Sequence, residues 1–352
     1  MDERELQSRM EKCMELESKL RRVLRTPKIY SDIMILHPLS KIGHDCGAIV
    51  MLGFDHTSKQ LVVVKDYMHE DGEWKLPSTV TRQVDIYETM QEGMASCASS
   101  SCGPSSYIQE CLDVQIMKSQ TRFIFKYYPM SFGNMMQKST PHSFTFEKVI
   151  ELLHAVHKLH NQYGIAHRDI KAQNICFTET TQLVLIDFDT SIKCVNKNKP
   201  LTHPVIEEQQ YHSIICKTFP VCTLSTRAPE QFHAEMKGSE ASYDAFAGDW
   251  WGVGCVIAQM YLGTELFVFE GNPTSISALE RHYENMRLFS EEWVSNTYNS
   301  AHATVKLLRR NVPQSEVIVL LKGLLDMKPS MREQAVLAFL NNAMVLERQK
   351  TH

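Results

Sequence analysis

The sequence lacks the features that mark nucleic-acid-binding, membrane and secreted proteins. Its 352 residues carry a formal net charge of −4, so we expect no strongly basic surface and no nucleic acid as a partner. The longest apolar run, residues 250–258, is far shorter than the roughly 20 residues that cross a bilayer. The N-terminus is charged and contains no apolar signal segment. We therefore expect no membrane partner and no secretion.

The sequence also lacks cysteines in zinc-binding pairs. Ten cysteines are scattered along the chain, and none forms a CxxC pair or clusters with histidines. In a chain of this length, scattered cysteines are typical of reduced thiols in the cytoplasm or the nucleus. The sequence therefore predicts an intracellular protein in a reducing compartment.

Length and pattern predict an α+β protein with two main parts. A chain of 352 residues exceeds a typical single core and suits two domains. Residues 129–345 are mainly helical in pattern, with a nearly all-apolar stretch at 250–260 that predicts a buried helix. The preceding part, residues 29–128, contains strand-like runs at 48–54, 61–64, 105–114 and 122–128. We therefore predict a smaller β-rich domain followed by a larger helical one.

Residues 1–28 form an N-terminal extension that contains one amphipathic helix, predicted over residues 2–25. Pro27 follows and ends it. The apolar stripe of this helix is interrupted by Glu17 and consists of Leu6, Met10, Cys13, Leu20 and Leu24. The stripe predicts a helix packed on the body of the protein, and the alternative is a helix that binds a regulatory partner or dimerises.

Four motifs follow one another in the second half of the chain. They are HRDIKAQN at residues 167–174, DFD at 187–189, RAPE at 227–230 and DWWGVG at 249–254. The first two place acids and an amide on short loops, which suits phosphoryl transfer, because that reaction needs positioned reactants and positive charge.

Each polar residue of the first two motifs can be given a chemical role. Magnesium ions prefer hard oxygen ligands from carboxylates and amides, and Asp187 and Asn174 would supply them. Asp169 would accept the proton of an attacking hydroxyl, and Lys171 would neutralise charge on the travelling phosphate. The sequence therefore predicts a metal-assisted phosphotransferase.

These motifs resemble those of eukaryotic protein kinases. HRDIKAQN is similar to the kinase catalytic loop, and LIDFD at residues 185–189 is similar to the metal-binding segment. RAPE resembles the end of the activation segment, and DWWGVG resembles the start of the central helix of the large lobe. The resemblance covers about residues 35–340 and implies a bilobal protein-kinase-like fold that uses ATP and Mg²⁺. Its N-lobe would be residues 29–128 and its C-lobe 129–345.

The resemblance also implies a structural ion pair in the larger lobe. KPSMR at residues 328–332 is similar to the late Pro-x-x-Arg element of protein kinases. By that likeness, Arg332 pairs with Glu230 of the RAPE motif in a buried position.

The resemblance places the nucleotide phosphates against two segments of the first half. The stretch IGHDCGAI at residues 42–49 is similar to the glycine-rich hairpin of kinases but keeps two of its three glycines, Gly43 and Gly47, between Ile42 and Ile49. A plain β-turn is the alternative for this stretch. VVVK at residues 62–65 resembles the strand whose lysine, here Lys65, holds the α- and β-phosphates.

The likeness further implies an acidic partner for Lys65 and an adenine site. In kinases, the lysine that corresponds to Lys65 pairs with a glutamate on the next helix. That glutamate is Glu88 when residues are counted forward from Lys65, or Glu92 when they are counted back from the later strands. Either glutamate could equally be a solvated helix charge. Backbone groups near Lys126 and Tyr128 would bind the adenine.

Two further features bear on substrate class. Lys171, two residues after Asp169, is typical of serine/threonine kinases. TLSTRAPE at residues 223–230 is similar to the matching stretch of cyclin-dependent and related kinases. The resemblance therefore implies protein substrates that carry serine or threonine. The shortened glycine loop also resembles that of virus-encoded kinases.

Asp189 is the main departure, since kinases usually have glycine at this position. Glycine permits backbone angles that aspartate reaches at a cost of about 1 kcal/mol, so we expect a strained or restricted segment. The departure leaves two alternatives open, a pseudokinase that acts as a scaffold and a small-molecule kinase of the same superfamily.

Overall fold

The computed structural model describes most of the chain in ten ranges. They are residues 3–23, 32–38, 48–69, 76–96, 107–137, 142–193, 215–216, 222–237, 242–295 and 302–350. The described residues fall into two compact units. The first unit contains the described residues up to Pro129 together with Val184–Lys193. The second contains Met130–Leu183 and the described residues from 215 onward.

Helices and strands follow one another along the chain in a fixed order. The first are α1 (Glu3–Val23), β1 (Ile33–Pro38), β2 (Ala48–Asp55), β3 (Gln60–Met68), α2 (Ser78–Ser96), β4 (Cys111–Ile116), β5 (Gln120–Lys126), β6 (Met130–Ser131), α3 (Phe132–Gln137), α4 (His142–Tyr163) and β7 (Ile165–Ala166). The remainder are β8 (Ile175–Phe177), β9 (Leu183–Leu185), β10 (Ile192–Lys193), β11 (Ile215–Cys216), α5 (Pro229–Lys237), β12 (Tyr243–Asp244), α6 (Ala245–Leu262), α7 (Ile276–Val294), α8 (Ala303–Asn311), α9 (Ser315–Leu324) and α10 (Ser330–Lys350).

The first unit is built on an antiparallel sheet in the order β1-β2-β3-β5-β4. Its strands are rich in β-branched and aromatic residues, which favour a pleated, half-buried surface. Val62, Val64 and Ile124 form a buried cluster on the sheet. The register places Lys65 of β3 opposite Val50 of β2 and Phe123 of β5, so the lysine projects from a strand held on both sides.

The β2–β3 hairpin shows how local sequence sets this register. The Asp55 carboxylate accepts hydrogen bonds from the backbone N–H groups of Thr57, at 3.2 Å, and Ser58, at 2.8 Å. An aspartate that bonds to the backbone two or three residues ahead stabilises a turn. Lys59 then adopts a positive φ of 58° and closes the hairpin.

Helix α1 packs within the first unit, against β4 and α2. Cys13 of the apolar stripe is buried, with 3% of its surface exposed. Glu17, which interrupts that stripe, accepts a hydrogen bond from the backbone N–H of Ile116 at 3.1 Å. Because β4 is an edge strand with unpaired backbone groups, Glu17 satisfies one of them. The structure thus shows the helix packed on the body of the protein.

The second unit is arranged around α6. This helix is apolar nearly all round and is buried along most of its length, as a central helix must be. Asp244 caps its N-terminus by accepting hydrogen bonds from Phe246 N–H, at 2.9 Å, and Ala247 N–H, at 3.3 Å. Gly263, with φ of 72°, ends it. Helices α4, α8, α9 and α10 all contact α6.

The prediction of an α+β, bilobal protein-kinase-like fold is confirmed, with a β-rich first unit and a mainly helical second unit. The strand expected at residues 105–114 lies later, because β4 begins at Cys111. Among the described helices, none combines the length and apolarity that a membrane span requires.

Candidate active site

The loop that follows β7 contains the predicted catalytic residues and is anchored by α6. The Asp249 carboxylate accepts hydrogen bonds from the backbone N–H groups of His167 and Arg168, both at 2.7 Å, and from Nε2 of His160 at 2.9 Å. Arg168 has a positive φ of 66°. Such backbone angles are costly for non-glycine residues and persist where the surroundings hold them. Asp249 therefore holds the loop in a conformation that it would otherwise avoid.

The predicted catalytic residues come together in this loop. Lys171 Nζ lies 2.7 Å from Asp169 Oδ2. The Asn174 side-chain amide donates to the Asp169 backbone carbonyl, at 2.9 Å, and to Asp169 Oδ2, at 3.1 Å. Asp169 and Asn174 are both buried. The structure thus presents one carboxylate with a cation and an amide fixed beside it.

Thr223 completes this group, and the sequence analysis did not single it out. Its backbone N–H and its hydroxyl donate to Asp169 Oδ1 at 3.0 and 2.9 Å. The same hydroxyl accepts a hydrogen bond from Lys171 Nζ at 2.8 Å. Its position at the start of TLSTRAPE was the signal that could have identified it.

In the first unit, the segment around Asp187 is attached beside β4. Leu185 forms a parallel bridge with Ile108, and its carbonyl accepts the backbone N–H of Gln109 at 2.8 Å. Two residues later, the Asp187 N–H donates to Gln109 Oε1 at 3.0 Å, and Asp187 has a φ of 68°. These contacts bring Asp187 to Lys65 although 122 residues separate them.

Two carboxylates flank the ammonium group of Lys65. Its Nζ lies 2.7 Å from Asp187 Oδ1 and 2.6 Å from Asp189 Oδ1. Burial lowers the pKa of Lys65, but the two carboxylates outweigh burial and raise that pKa above its usual value. Burial raises the pKa of Asp189 to about 6; Lys65 limits this shift and Asp187 adds to it. The prediction that Lys65 and Asp187 serve one site agrees with this contact.

The expected pairing of Lys65 with Glu88 is corrected by these contacts. Among the described residues, Asp187 and Asp189 are the ion-pair partners of Lys65. Helix α2 reaches Asp189 through Gln83, which bonds to the carboxylate, and through Arg82, which bonds to the backbone carbonyl. Glu88 lies five residues beyond Gln83 on α2 and is half-buried. Five residues is well over one helical turn, so Glu88 faces a different direction from Gln83. The rival Glu92 has its side chain outside the described part of the chain.

The expectation of backbone strain at Asp189 is wrong. Within the described ranges, the non-glycine residues with positive φ are Lys59, Arg168, Thr181 and Asp187. The left-handed conformation of this segment is therefore at Asp187, and Asp189 has angles open to any residue.

Phe188, between the two aspartates, is fixed by an aromatic cluster of the first unit. Its ring centroid lies 6.1 Å from that of Tyr87 on α2. Tyr87 in turn lies 5.7 Å from Phe125, which stacks on Phe123 at 6.0 Å. These separations are typical of favourable aromatic pairs. The cluster holds α2, β5 and the aspartate segment together.

Other predicted nucleotide contacts are only partly described. Ile42, Gly43 and Gly47 lie outside the described residues, and Ile49 lies half-buried on β2. The backbone N–H of Lys126 donates to the Glu110 carbonyl at 3.1 Å, so it is already used within the sheet. The Tyr128 hydroxyl accepts the Glu110 N–H at 3.1 Å. Adenine binding near Lys126 and Tyr128 stays a prediction.

The predicted ion pair of the second unit is present. Arg332 is fully buried and donates to Glu230 through both terminal nitrogens, at 2.5 and 2.9 Å. It also donates to the carbonyls of Ala247, at 2.8 Å, and Asp326, at 3.1 Å, and lies 5.1 Å from the Trp251 ring. A bidentate arginine with its remaining N–H groups satisfied is the arrangement in which a buried charge is tolerated. The prediction is confirmed.

The described side chains hold no metal site made of protein ligands alone. Within the described ranges, no group of three or more histidines, cysteines, aspartates or glutamates could hold an ion. Magnesium commonly binds through one or two carboxylates together with substrate phosphates. Asp187 has a carboxylate of this kind, and the Asn174 side-chain oxygen is an acceptor while its amide nitrogen is bonded to Asp169. Magnesium binding by Asp187 and Asn174 stays a prediction.

Comparison with known proteins agrees with the motifs. Cyclin-dependent kinase 15 of Homo sapiens is 24% identical over 258 residues, which cover 72% of this chain and 50% of that protein. The citron Rho-interacting kinase of Mus musculus is 29% identical over 154 residues, covering 43% of this chain and 7% of that protein. The probable serine/threonine-protein kinase clkA of Dictyostelium discoideum is 26% identical over 202 residues, covering 50% and 20%. The chain thus spans at most half the length of these curated relatives.

The protein kinase domain family matches residues 36–341, which is most of the chain and nearly the span over which the motifs resemble kinases. The N-terminal helix α1 precedes the matched region. The chain belongs to the protein kinase domain family.

Proposed function

We propose that this protein is an active kinase that transfers the γ-phosphate of ATP to serine or threonine hydroxyl groups of other proteins. The hydrogen-bonded group around Asp169 carries this proposal. Its carboxylate is buried and held by Lys171, Asn174 and Thr223 at 2.7–3.1 Å. An inactive relative would have no need to keep a buried acid, a cation and an amide in such close order.

Asp169 is the proton acceptor for the incoming hydroxyl. A general base must lie within hydrogen-bond reach of the proton that it removes, and Lys171 and Thr223 hold this carboxylate in one orientation. Lys171 also places a positive charge beside the carboxylate, where it can offset charge on the phosphate in transfer. Asn174 braces the loop through the Asp169 carbonyl.

Nucleotide and metal are assigned to residues by the chemistry of their donor atoms. Bound magnesium would supply positive charge that neutralises the phosphate oxygens. Asp187 and Asn174 would hold the ion, and Lys65 would hold the α- and β-phosphates. The Asp187 side chain is 37% exposed, so it is accessible to such an ion. In the absence of phosphate, Asp187 and Asp189 provide the negative charge that Lys65 requires.

The serine/threonine class and protein substrates are proposed from Lys171 and from the relatives. Lys171 bridges Asp169 and Thr223, and small-molecule kinases normally lack this lysine and the RAPE segment. A relative over half of this chain carries serine/threonine-protein kinase in its name. A regulatory partner at α1 would have to use its exposed face, which includes Met14, since Cys13 and Glu17 are engaged within the first unit.

Phosphate transfer from labelled ATP tests the proposal. The purified chain is incubated with γ-labelled ATP, magnesium and either casein or a basic protein, and label on serine and threonine is counted. Asp169→Ala should lower the rate by about 10²- to 10⁴-fold, the usual contribution of a general base, and should leave nucleotide binding intact. Glu179→Ala, at an exposed turn of the same unit, is the matched control and should keep full activity.

The two alternatives give different outcomes in the same assay. A scaffold would show a thermal shift with ATP and magnesium but no label on any protein. A small-molecule kinase would consume ATP only when small alcohols or amines are added. Either result would contradict the proposal, as would full activity in the Asp169→Ala variant.

A further inference from the structure

Asp189 is a buried carboxylate beside Lys65 with several hydrogen-bond donors around it. Its Oδ1 atom accepts from the Tyr67 hydroxyl and from Gln83 Nε2, both at 2.7 Å, and lies 2.6 Å from Lys65 Nζ. Gln83 also donates to the Tyr67 hydroxyl. Three donors thus converge on one oxygen of a side chain that is only 6% exposed. A buried carboxylate with several donors is fixed in place.

The two carboxylates beside Lys65 differ in their surroundings. The Asp187 side chain is 37% exposed, against 6% for Asp189. Asp187 is assigned to the magnesium ion, so it must exchange partners when the nucleotide binds. Asp189 has Tyr67 and Gln83 as further partners, both buried, and can stay with Lys65 throughout.

The α2 side chain that bonds to the Asp189 carboxylate, Gln83, is neutral. Arg82, also on α2, donates instead to the Asp189 backbone carbonyl at 3.2 Å. Gln83 lies one helical turn before Tyr87, whose ring packs on Phe188, and residues four apart share one face of a helix. Position 83 is therefore aligned with the aspartate segment. A carboxylate at position 83 would lie next to Asp189, and like charges at that distance are unfavourable. The neutral amide instead donates to the carboxylate.

We propose that Asp189 is the positioning residue for Lys65, with Gln83 and Tyr67 as its fixed donors, so that the carboxylate comes from the segment after β9 and not from α2. This inference rests on the proposed function. Two features of this sequence then belong together: the aspartate at position 189, where kinases usually have glycine, and the neutral glutamine at position 83 of α2. The negative charge has moved from the helix to the loop, while the lysine remains on β3.

This shift of charge predicts a reciprocal pattern among three variants. Asp189→Gly removes the partner of a buried ammonium group, and Gln83→Glu adds a second carboxylate beside Asp189. Each should raise the KM for ATP by about 10- to 100-fold, the range that one hydrogen bond to a charged group is worth. The double variant Gln83→Glu with Asp189→Gly should recover most of this loss, because the helix then supplies the single carboxylate. Neighbouring residues of one network are expected to be non-additive in this way.

A conservative variant and a control separate positioning from folding. Asp189→Asn keeps the shape of the side chain and loses its charge, so it should raise the KM for ATP while the KM for the protein substrate stays unchanged. Asp85→Asn, on an exposed position of α2, is the matched control. Thermal unfolding of every variant, together with binding of a non-hydrolysable ATP analogue, shows whether a loss reflects the site or the fold.

The outcomes distinguish this inference from the proposed function. A wild-type chain that transfers no phosphate contradicts the proposed function. In that case, binding of the ATP analogue by the wild type and the variants still tests whether Asp189 positions Lys65. An active wild type whose Asp189→Asn variant keeps the ATP KM would overturn the inference. A loss in Glu88→Gln as large as that in Asp189→Asn would also overturn it, because α2 would then supply the carboxylate. Failure of the double variant to recover, despite a normal melting temperature, would do the same.

Discussion

The Asp249 carboxylate accepts the backbone N–H of Arg168 at 2.7 Å, and it thereby holds the predicted catalytic loop against the central helix. Both oxygens of Asp249 are used, Oδ1 by Arg168 and Oδ2 by His167 and His160. Arg168 carries a positive φ, so the contact maintains a backbone conformation that is costly on its own.

Asp249→Asn is expected to destabilise the protein and to lower its activity. The asparagine side chain has one acceptor oxygen, and its NH2 group replaces the other oxygen of Asp249. One buried N–H group of the loop would therefore face another donor and lose its hydrogen bond. Such a loss costs about 1–3 kcal/mol of unfolding free energy, measured by urea denaturation. Asp244→Asn is the control, because asparagine caps a helix about as well as aspartate. Equal effects of the two substitutions would contradict the anchoring role.

Gly252→Ala is expected to disturb the same loop from the side of α6. An added Cβ would lie 2.9 Å from the backbone carbonyl oxygen of Ile170, which cannot move without shifting the loop beside Asp169. Overpacking of this kind costs about 1–3 kcal/mol, although alanine is normally the better helix former. We expect a lower urea midpoint together with a lower rate of phosphate transfer.

Gly133→Ala provides the matched comparison for that substitution. Among the described atoms, its added Cβ would meet Ser131 Oγ alone, at 4.0 Å, so the substitution should be neutral or stabilising by up to about 1 kcal/mol. A destabilisation of Gly133→Ala equal to that of Gly252→Ala would show that helix propensity, and not the close approach to Ile170, explains the effect.

Glu17→Gln is expected to loosen α1 from the first unit. The carboxylate of Glu17 accepts the backbone N–H of Ile116 on the edge strand β4, and a hydrogen bond to a charged group is worth about 1.5–3 kcal/mol. Faster amide hydrogen exchange in α1 and at Ile116 would show the loosening. Glu11→Gln, at an exposed position of the same helix, should leave exchange unchanged. Unaltered exchange in Glu17→Gln would indicate that the contact contributes little.

Stability is expected to fall with pH through protonation of His282. Burial among Phe232, Phe267 and Phe269, together with the positive charge of Arg227, lowers the pKa of His282 from 6.5 to about 4. The unfolded chain therefore binds a proton at a higher pH than the folded chain does. Unfolding free energy should decrease as pH falls from about 6.5 towards 4, and it should be insensitive to this group above that window.

His282→Gln should flatten this pH dependence. A glutamine does not titrate, so the difference in unfolding free energy between pH 7 and pH 4.5, measured by urea denaturation, should be smaller than in the wild type. The same slope in both proteins would show that other groups determine acid sensitivity.

The sequence predicted the parts of the site that lie close together along the chain. Asp169, Lys171 and Asn174 occupy one loop of six residues, so any compact conformation of that loop brings them near one another. The pairing of Arg332 with Glu230 was also predicted, since two motifs of known type named both partners. Residues 42–47 lie outside the described ranges, so the glycine-loop contacts, like the likeness to virus-encoded kinases, stay predictions.

The sequence did not predict the partner of Lys65 correctly. Counting residues along α2 favoured Glu88, because the inserts before and after that helix obscure its register. Packing of Tyr87 against Phe188 fixes the helix rotation instead, and this brings Gln83 to the lysine group. Asp189 was recognised as a departure, but its effect was expected on the backbone rather than through its side chain.

The amino-acid sequence by itself determined the family, the order of the structural elements and the local geometry of short loops and turns. These follow from motif spacing, hydrophobic periodicity and hydrogen bonds between near neighbours. Only the tertiary structure decided which carboxylate serves Lys65 and which acid anchors the loop at Arg168. Lys65 and Asp187 are 122 residues apart, and Arg168 and Asp249 are 81 apart. At such separations, side-chain packing of whole elements sets which atoms meet, and no local pattern contains that information.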